Sequence, residues 1–229
     1  MTTISANLQA VIARIDAASR KFERNPDDIS LLAVSKFWPA SDVREAAAAG
    51  QNAFGENYVQ EGVGKVSELR TLGLEWHFIG PLQSNKTRAV AETFDWVHSI
   101  DRLKIAERLS EQRPDSLPPL QICLQVNVSG EETKSGIALD EAQNLARQVA
   151  MLPRLKLRGL MTIPAPAAGF AQQRVAFRRL REAYDQLNSD GLPLDTLSMG
   201  MTDDLEAAIA EGSTLVRVGT AIFGERSKS

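Results

Sequence analysis

The residue with the most distinctive chemistry in this sequence is a lysine at the end of an apolar run. Lys36 follows Leu32 and Val34 at intervals of two, so the three side chains share one face if this segment is a β-strand. If that face lies inside a barrel, the lysine is removed from water. Burial among apolar groups lowers the pKa of an ammonium group, and a neutral amine forms a Schiff base with an aldehyde. The alternative is a lysine whose head extends into solvent, and position alone favours neither.

Two short turns near the C-terminus are rich in small residues and hydrogen-bond donors. One contains Ser198, Met199 and Gly200 between a predicted strand and a predicted helix, and the other contains Gly219 and Thr220. Glycine lets a backbone approach a ligand, and the N–H groups at a helix N-terminus bind anions. In β/α barrels the loops after strands seven and eight often bind phosphate, which predicts a phosphate site here. The alternatives are a helix cap at Ser198 and a β-bulge at Gly219.

Three further polar residues lie at or near the ends of predicted strands. Arg217 shares a strand face with Gly219, and it either pairs with an acid such as Glu56 or faces the nitrogen of a heteroaromatic ring. Asn57 either hydrogen-bonds a ring substituent or caps the following helix. His77 is either a ligand contact or a structural residue of the core.

The composition limits the class of protein. The chain has 229 residues, 43% of them hydrophobic, and a formal net charge of −3, which is typical of a globular protein and argues against nucleic-acid binding. No apolar stretch reaches the roughly 18 residues that span a bilayer. Cys123 is the only cysteine and there are only two histidines, so neither an intrachain disulfide nor a metal site is expected. We expect a cytoplasmic monomer.

The elements that must position these residues alternate along the chain. Eight short apolar segments have the composition of strands: 30–36, 52–55, 75–79, 96–100, 120–128, 156–163, 196–199 and 215–223. The remaining segments have helical spacing: 4–24, 41–50, 57–72, 84–93, 102–113, 139–152, 171–188 and 203–211. Gly50 and Gly212 are expected to end helices, and Asp101 and Asp140 to cap them.

This alternation predicts an α/β protein with a single (β/α)8 barrel of the TIM type and an extra N-terminal helix. The alternative is an open, doubly wound sheet. An open sheet of eight parallel strands is wide for this length, and no Gly-x-Gly-x-x-Gly turn follows the first strand. No linker rich in Pro, Gly or Ser divides the chain, so we predict one domain over residues 1–229. The site is then expected at the C-terminal ends of the strands.

With these residues in view, the sequence resembles the pyridoxal phosphate homeostasis proteins almost from end to end. The resemblance rests on seven ordered motifs: LAVSK (32–36), FGENYVQE (54–61), WHFIGPLQSNK (76–86), KSG (134–136), GLM (159–161), LSMGMTDD (197–204) and RVGTAIFG (217–224). It implies a barrel like that of alanine racemase, the type III fold of pyridoxal-phosphate proteins. Family members often have Ser-Lys-Thr-x-Pro at the first strand end, whereas this chain has Phe37 and Trp38 before Pro39, and we expect both aromatics to line the site mouth.

The resemblance implies that pyridoxal 5′-phosphate (PLP) is bound as an internal aldimine on Lys36. Arg217 is then expected near the pyridine nitrogen and Asn57 beside the ring. The phosphate is expected near residues of the two C-terminal turns: Ser198, Gly200, Gly219 and Thr220. An obligately charged arginine keeps the ring nitrogen unprotonated, which weakens the ring as an electron sink and suits a protein that holds the cofactor.

The main alternative is a PLP-dependent amino-acid racemase. Racemisation needs a second acid–base group on the opposite face of the cofactor, which racemases supply from an additional β-domain. No such domain is recognised here, and both tyrosines, Tyr58 and Tyr184, lie in predicted helices. A Schiff-base aldolase and a structural protein without a ligand are further alternatives. We therefore predict a non-enzymatic carrier or regulator that passes PLP to amines or apo-enzymes, with Lys65, Lys86 and Lys134 as surface lysines.

Overall fold

The structure, a computed structural model, describes residues 3–131 and 135–225. Its centre is a closed barrel of eight parallel strands, in which each strand pairs with the next and the last pairs with the first. The strands are β1 (Ser30–Val34), β2 (Ala53–Glu56), β3 (Glu75–Phe78), β4 (Trp96–Ile100), β5 (Leu120–Gln125), β6 (Leu155–Met161), β7 (Thr196–Ser198) and β8 (Leu215–Val218). The predicted barrel is therefore confirmed, and the open sheet is wrong.

Helices follow the strands and cover the outside of the barrel. In the described residues they are α1 (Ile4–Lys21), α2 (Ala40–Ala48), α3 (Val59–Leu69), α4 (Thr87–Thr93), α5 (Leu103–Gln112), α6 (Ala142–Ala150), α7 (Phe170–Ser189), α8 (Leu205–Ala210) and α9 (Thr220–Phe223). The predicted N-terminal helix, α1, begins after Thr3, whose Oγ1 accepts a hydrogen bond from the N–H of Ala6. It packs against α8 and α9. No helix in the described part of the chain is both long and apolar enough to cross a membrane.

Small apolar clusters fill part of the barrel interior. Leu32 of β1, Ile79 beyond β3 and Leu215 of β8 pack together across the barrel. Gly55 of β2 makes this possible, because a Cβ there would lie 3.1 Å from Leu32 Cδ2 and 3.2 Å from Ile79 Cδ1. Burying a leucine or isoleucine side chain stabilises the fold by about 1.5–3 kcal/mol. Polar side chains are buried as well, among them His98, Ser198 and Arg217.

Two predicted strands end three or more residues earlier in the structure, and two predicted helix caps are wrong. Strand eight ends at Val218, because the chain turns at Gly219 into the short helix α9. Strand five ends at Gln125, whose carbonyl accepts a hydrogen bond from the N–H of Ile137. Asp101 and Asp140 cap no helix, because α5 begins after Arg102 and residue 140 lies within a turn of 3-10 helix. Gly50 and Gly212 do follow helix ends, with φ of 101° and 96°.

Candidate cofactor site

Lys36 lies two residues beyond the end of β1, at the carboxyl mouth of the barrel. The preceding Leu32 faces the interior, and Val34 packs against the same cluster, as the period-two pattern predicts. Lys36 is itself partly buried. The lysine is thus neither enclosed in the core nor extended fully into solvent, which is a position between the two alternatives that the sequence left open.

A buried ion-pair cluster lies next to the candidate lysine. The ammonium group of Lys65 donates hydrogen bonds of 2.7 Å to the carbonyl of Ser35 and to the carboxylates of Glu56 and Glu61. The hydroxyl of Ser35 donates to the same Glu56 oxygen at 2.6 Å. Burial raises the pKa of Glu56, and the hydrogen bond from Lys65 opposes this shift. The predicted surface position of Lys65 is wrong: only 6% of this residue is exposed, because three oxygens compensate its buried charge.

Aromatic side chains lie beside the lysine at the mouth. Phe37 has a φ of +68°, in the left-handed region, and its N–H donates to the carboxylate of Glu61. Its exposed ring lies 4.9 Å from the ring of Tyr58, which precedes α3 rather than lying in it. Trp38 instead stacks on Phe223 of α9, at 5.9 Å between ring centroids. Of the two aromatics expected to line the mouth, Phe37 is exposed there and Trp38 packs on a helix.

Arg217 extends into the barrel interior from β8. Only 3% of it is exposed, and it donates hydrogen bonds of 2.8 Å to Ser198 Oγ and to the carbonyl of Thr162. Burial lowers the pKa of its guanidinium to about 10. The alternative of an ion pair with Glu56 is wrong, because Glu56 pairs with Lys65.

The two C-terminal turns are joined to each other and to β1. Gly200 has a φ of +97°, and a Cβ there would lie 2.6 Å from the Cβ of Ala208, so a side chain does not fit. The carbonyl of Gly200 accepts a hydrogen bond of 2.9 Å from the N–H of Arg217. At Gly219 a Cβ would lie 3.1 Å from the carbonyl oxygen of Val34. The structure thus brings the predicted phosphate turns together beside the strand that leads to the candidate lysine.

Met199 and Thr220, the other predicted binding residues of these turns, differ in the exposure of their side chains. The side chain of Met199 is fully buried in the helix-facing core, its N–H donates to the carbonyl of Leu215, and its carbonyl accepts from Ser213. Its side chain therefore faces away from the barrel interior. Thr220 is exposed and begins α9, where the first backbone N–H groups have no partner within the helix.

Asn57 follows β2 and carries an unusual polar atom. Its Oδ1 is buried and has no hydrogen-bond partner among the described residues. The backbone of Gly80 packs against the backbone of Asn57, since a Cβ on Gly80 would lie 2.1 Å from the Asn57 carbonyl oxygen. Asn57 also lines an open cavity at this mouth together with Tyr58 and Lys86. A buried acceptor without a partner costs about 1–3 kcal/mol, so this atom is ready for a donor from a ligand.

His77 lies deeper in the barrel than a mouth residue. It is 1% exposed, with its Nε2 2.7 Å from Glu75 Oε1 and its Nδ1 2.9 Å from Nε2 of His98. It lines a cavity at the amino end of the barrel, which Asp28 and Ser30 also line. Both ring nitrogens are therefore engaged within the protein, on the side away from Lys36.

Sequence reasoning missed several residues that support the site: Glu61, Glu75, His98 and Thr162. Glu75 lies two residues before His77 on one strand face, and His98 is on the next strand, so strand periodicity carried a signal for both. Glu61 precedes Lys65 by one helical turn, which is also a visible signal. Thr162 acts through its backbone carbonyl, which no side-chain pattern reveals. Of the predicted surface lysines, Lys134 lies outside the described residues.

The comparisons with known proteins show the family of this chain. The model of the alanine racemase N-terminal domain family matches residues 6–227. The pyridoxal phosphate homeostasis protein of Pseudomonas aeruginosa is 62% identical over 226 residues, which cover 99% of this chain and 97% of that protein. The chain belongs to the pyridoxal phosphate homeostasis protein family. The Escherichia coli (strain K12) homeostasis protein is 57% identical over 232 residues, covering 100% of this chain and 99% of the relative.

Solved structures add a homologue with the ligand. PipY of Synechococcus elongatus, determined with PLP bound, is 39% identical, with a TM-score of 0.80 over 93% of this chain and 100% of that chain. Alanine racemase of Corynebacterium glutamicum is 18% identical, with a TM-score of 0.69 over 96% of this chain and 62% of that chain. The racemase therefore shares the barrel fold with this homeostasis protein family member.

Proposed function

We propose that this protein binds PLP as a Schiff base on Lys36 and stores or hands on the cofactor without turning over a substrate. The observation that carries the proposal is the pairing of β1 with β8, in which Leu32 lies opposite Arg217. This pairing puts the segment that ends in the lysine beside the strand that carries the arginine. The names of the curated relatives and the PLP bound in PipY support it.

The chemistry of the mouth fits PLP. Bound PLP supplies an aldehyde and an electron-withdrawing ring. We propose that Lys36 provides the amine and that Asn57, whose Oδ1 has no partner among the described residues, hydrogen-bonds a substituent of the ring. Gly200, Gly219 and Thr220 are proposed to hold the phosphate, because both glycines bring the backbone close and the start of α9 offers free N–H groups.

Arg217 is proposed to face the ring nitrogen. Its pKa of about 10 leaves Arg217 charged at neutral pH, so it keeps the ring nitrogen unprotonated. An unprotonated ring is a weaker electron sink. This favours holding the cofactor over carbanion chemistry. Ser198 already accepts a hydrogen bond from Arg217, and we propose that Ser198 contributes through the arginine rather than by direct contact with phosphate. His77 and Met199 are proposed to support the site without contacting PLP through their side chains.

The proposed recipients of PLP are apo-enzymes and free amines, and the loaded protein is proposed to act as a monomer. Release requires water or an amine to reach Lys36, and Lys36 is only partly buried. Mixing the loaded protein with an apo-enzyme tests delivery: the enzyme gains activity as the protein loses its cofactor absorption. A loaded protein that migrates as a dimer on gel filtration contradicts the monomer.

A racemase remains the second candidate because of one observation. Tyr58 lies at the mouth of the barrel. Its ring is 4.9 Å from the ring of Phe37, the residue that follows Lys36 in the chain. A tyrosine is the residue type that racemases use as the second acid–base group. Racemisation of L-alanine by the PLP-loaded wild type, and its loss in Tyr58→Phe, would show that the protein is a racemase.

Absorption spectroscopy tests the proposed function. The wild type incubated with PLP and then dialysed is expected to keep the long-wavelength band of a Schiff base. Lys36→Ala is expected to lose the band, whereas Lys156→Ala, which removes an exposed lysine from the amino end of β6, keeps it. A wild type that stays colourless after incubation with PLP contradicts the proposal.

A further inference from the structure

A continuous path of hydrogen bonds runs through the barrel interior from its amino end to the proposed cofactor site. The members are Glu75, His77, His98, Ser198 and Arg217. The four links measure 2.7, 2.9, 2.8 and 2.8 Å in that order, all within hydrogen-bond range. Four members are no more than 3% exposed, and the side chain of Glu75 is 46% exposed. We call this path the relay.

The two ends of the relay fix the direction of every link. An arginine only donates, so Ser198 Oγ accepts from Arg217. The serine hydroxyl then donates to Nδ1 of His98, because no other acceptor for it occurs among the described residues. His98 therefore carries its proton on Nε2 and donates to Nδ1 of His77. His77 carries its proton on Nε2 and donates to the carboxylate of Glu75, which only accepts.

We propose that Glu75, His77, His98 and Ser198 are positioning residues that orient Arg217, and that the relay transmits a change at the amino end of the barrel to the cofactor site. The second half of this inference rests on the proposed function. The Ser198 hydroxyl is held by its hydrogen bond to His98, so Arg217 has one acceptor at a fixed place and a second in the Thr162 carbonyl. The remaining guanidinium donors are then directed by the protein before any ligand binds.

The surroundings of the relay agree with two neutral histidines. Burial is the main cause that lowers the pKa of both His77 and His98. Further charged and titratable groups act on the relay from neighbouring strands and loops: Asp95 on His77, Arg158 on Glu75, and Asp204 and Cys123 on Arg217. The ring of Trp96 stacks on His77 at 5.2 Å and 9°, which holds the plane of that ring.

Nuclear magnetic resonance of the cofactor-free protein tests the direction of the relay. The chain has only two histidines, so a long-range nitrogen–proton spectrum contains just two imidazole patterns. Both are expected to show the neutral tautomer with the proton on Nε2, and to keep it when the pH falls below 6.5, the ordinary histidine value. A proton on Nδ1 of either ring, or a histidine that titrates at its ordinary value, overturns the relay.

Release of PLP tests transmission to the cofactor site. Glu75→Lys replaces the terminal acceptor with a donor, so the links between the side chains must reverse and the Ser198 hydroxyl loses its acceptor. We expect PLP to dissociate about tenfold faster, the factor that corresponds to losing one hydrogen bond of about 1.4 kcal/mol. Glu75→Gln keeps an acceptor oxygen at this position, so PLP is expected to dissociate from it at the wild-type rate.

Asp28→Lys is the matched control, because it makes the same change of charge in the same amino-end cavity but outside the relay. We expect its PLP dissociation rate to stay at the wild-type value. Equal acceleration by Asp28→Lys and Glu75→Lys overturns transmission through the relay, and so does an unchanged rate in Glu75→Lys. If the wild type does not bind PLP at all, both the proposed function and transmission to the cofactor site are wrong. The spectrum of the two histidines still tests the relay in that case.

Discussion

At the scale of single residues, the candidate site contains a buried charge, on Lys65, whose partners lie at different distances along the chain. Lys65 bonds to Ser35, 30 residues before it, and to Glu56, nine residues before it. A sequence pattern that sees only neighbours finds Glu61 at four residues and misses the others. This is why Lys36 and Arg217 could be singled out from strand position, whereas the burial of Lys65 could not.

The two buried histidines predict a loss of stability in mild acid. The pKa of each is lowered by burial, so below about pH 6.5 the unfolded chain binds protons that the folded chain does not. As the pH decreases, the free energy of unfolding is therefore expected to decrease by up to about 1.4 kcal/mol per pH unit for each histidine. The decrease ends where the pH reaches the lowered pKa of that histidine. Urea denaturation at a series of pH values measures this slope.

His98→Asn is the comparison variant, and its slope is expected to be shallower, whatever its absolute stability. Glu56 acts in the opposite direction: burial raises its pKa, so over its own window the folded chain binds the proton more tightly and acid favours folding. Because Glu56 is present in both proteins, the difference between the two slopes isolates the histidine. Identical slopes for the wild type and the variant contradict the assignment.

At the scale of elements, short apolar runs predicted all eight strands but not all of their ends. Ala221, Ile222 and Phe223 continue the apolar pattern of β8, yet they form α9, because the backbone turns at Gly219 with ψ near −74°. Nothing in an apolar triplet distinguishes a strand from one helical turn. The loops that follow strands are therefore where the structure adds most to the sequence, and they also carry the proposed site.

The loop after β3 provides an element-scale prediction. Gly80→Ala is expected to destabilise the fold by about 1–3 kcal/mol, because the new Cβ would lie 2.1 Å from the Asn57 carbonyl oxygen. PLP affinity is expected to fall as well, since Asn57 is displaced. Gly64→Ala in α3, where nothing lies within 4 Å of the new Cβ, is the control and is expected to be neutral or stabilising by up to about 1 kcal/mol. Equal unfolding midpoints in urea for both variants contradict the close contact.

At the scale of the whole molecule, closure of the barrel brings an early and a late strand of the sequence side by side. Ser30 to Ala33 of β1 pair with Leu215 to Val218 of β8, so the segment that leads to Lys36 lies beside the strand that carries Arg217. We propose that residues 1–229 form a single domain for this reason. Unfolding of any part of the barrel is then expected to release the cofactor.

PLP is accordingly expected to stabilise the protein against urea. At a free concentration of 100 times Kd, a ligand that binds only the folded state adds about 2.7 kcal/mol to the free energy of unfolding. Loss of the cofactor band and loss of helical circular dichroism are expected at the same urea concentration. Pyridoxine 5′-phosphate, which has no aldehyde, is the control and is expected to stabilise less. A cofactor band that survives the loss of helical signal contradicts a site built from both ends of one domain.

The claim that the cofactor is attached at Lys36 is tested most directly by mapping the attachment point. The PLP-loaded protein is treated with borohydride, which reduces a Schiff base to a stable amine, and its peptides are then analysed by mass spectrometry. We predict one modified lysine, Lys36, in stoichiometric amount, with Lys65, Lys86 and Lys156 unmodified. A label on another lysine, or a fully loaded protein that carries no label, contradicts the account.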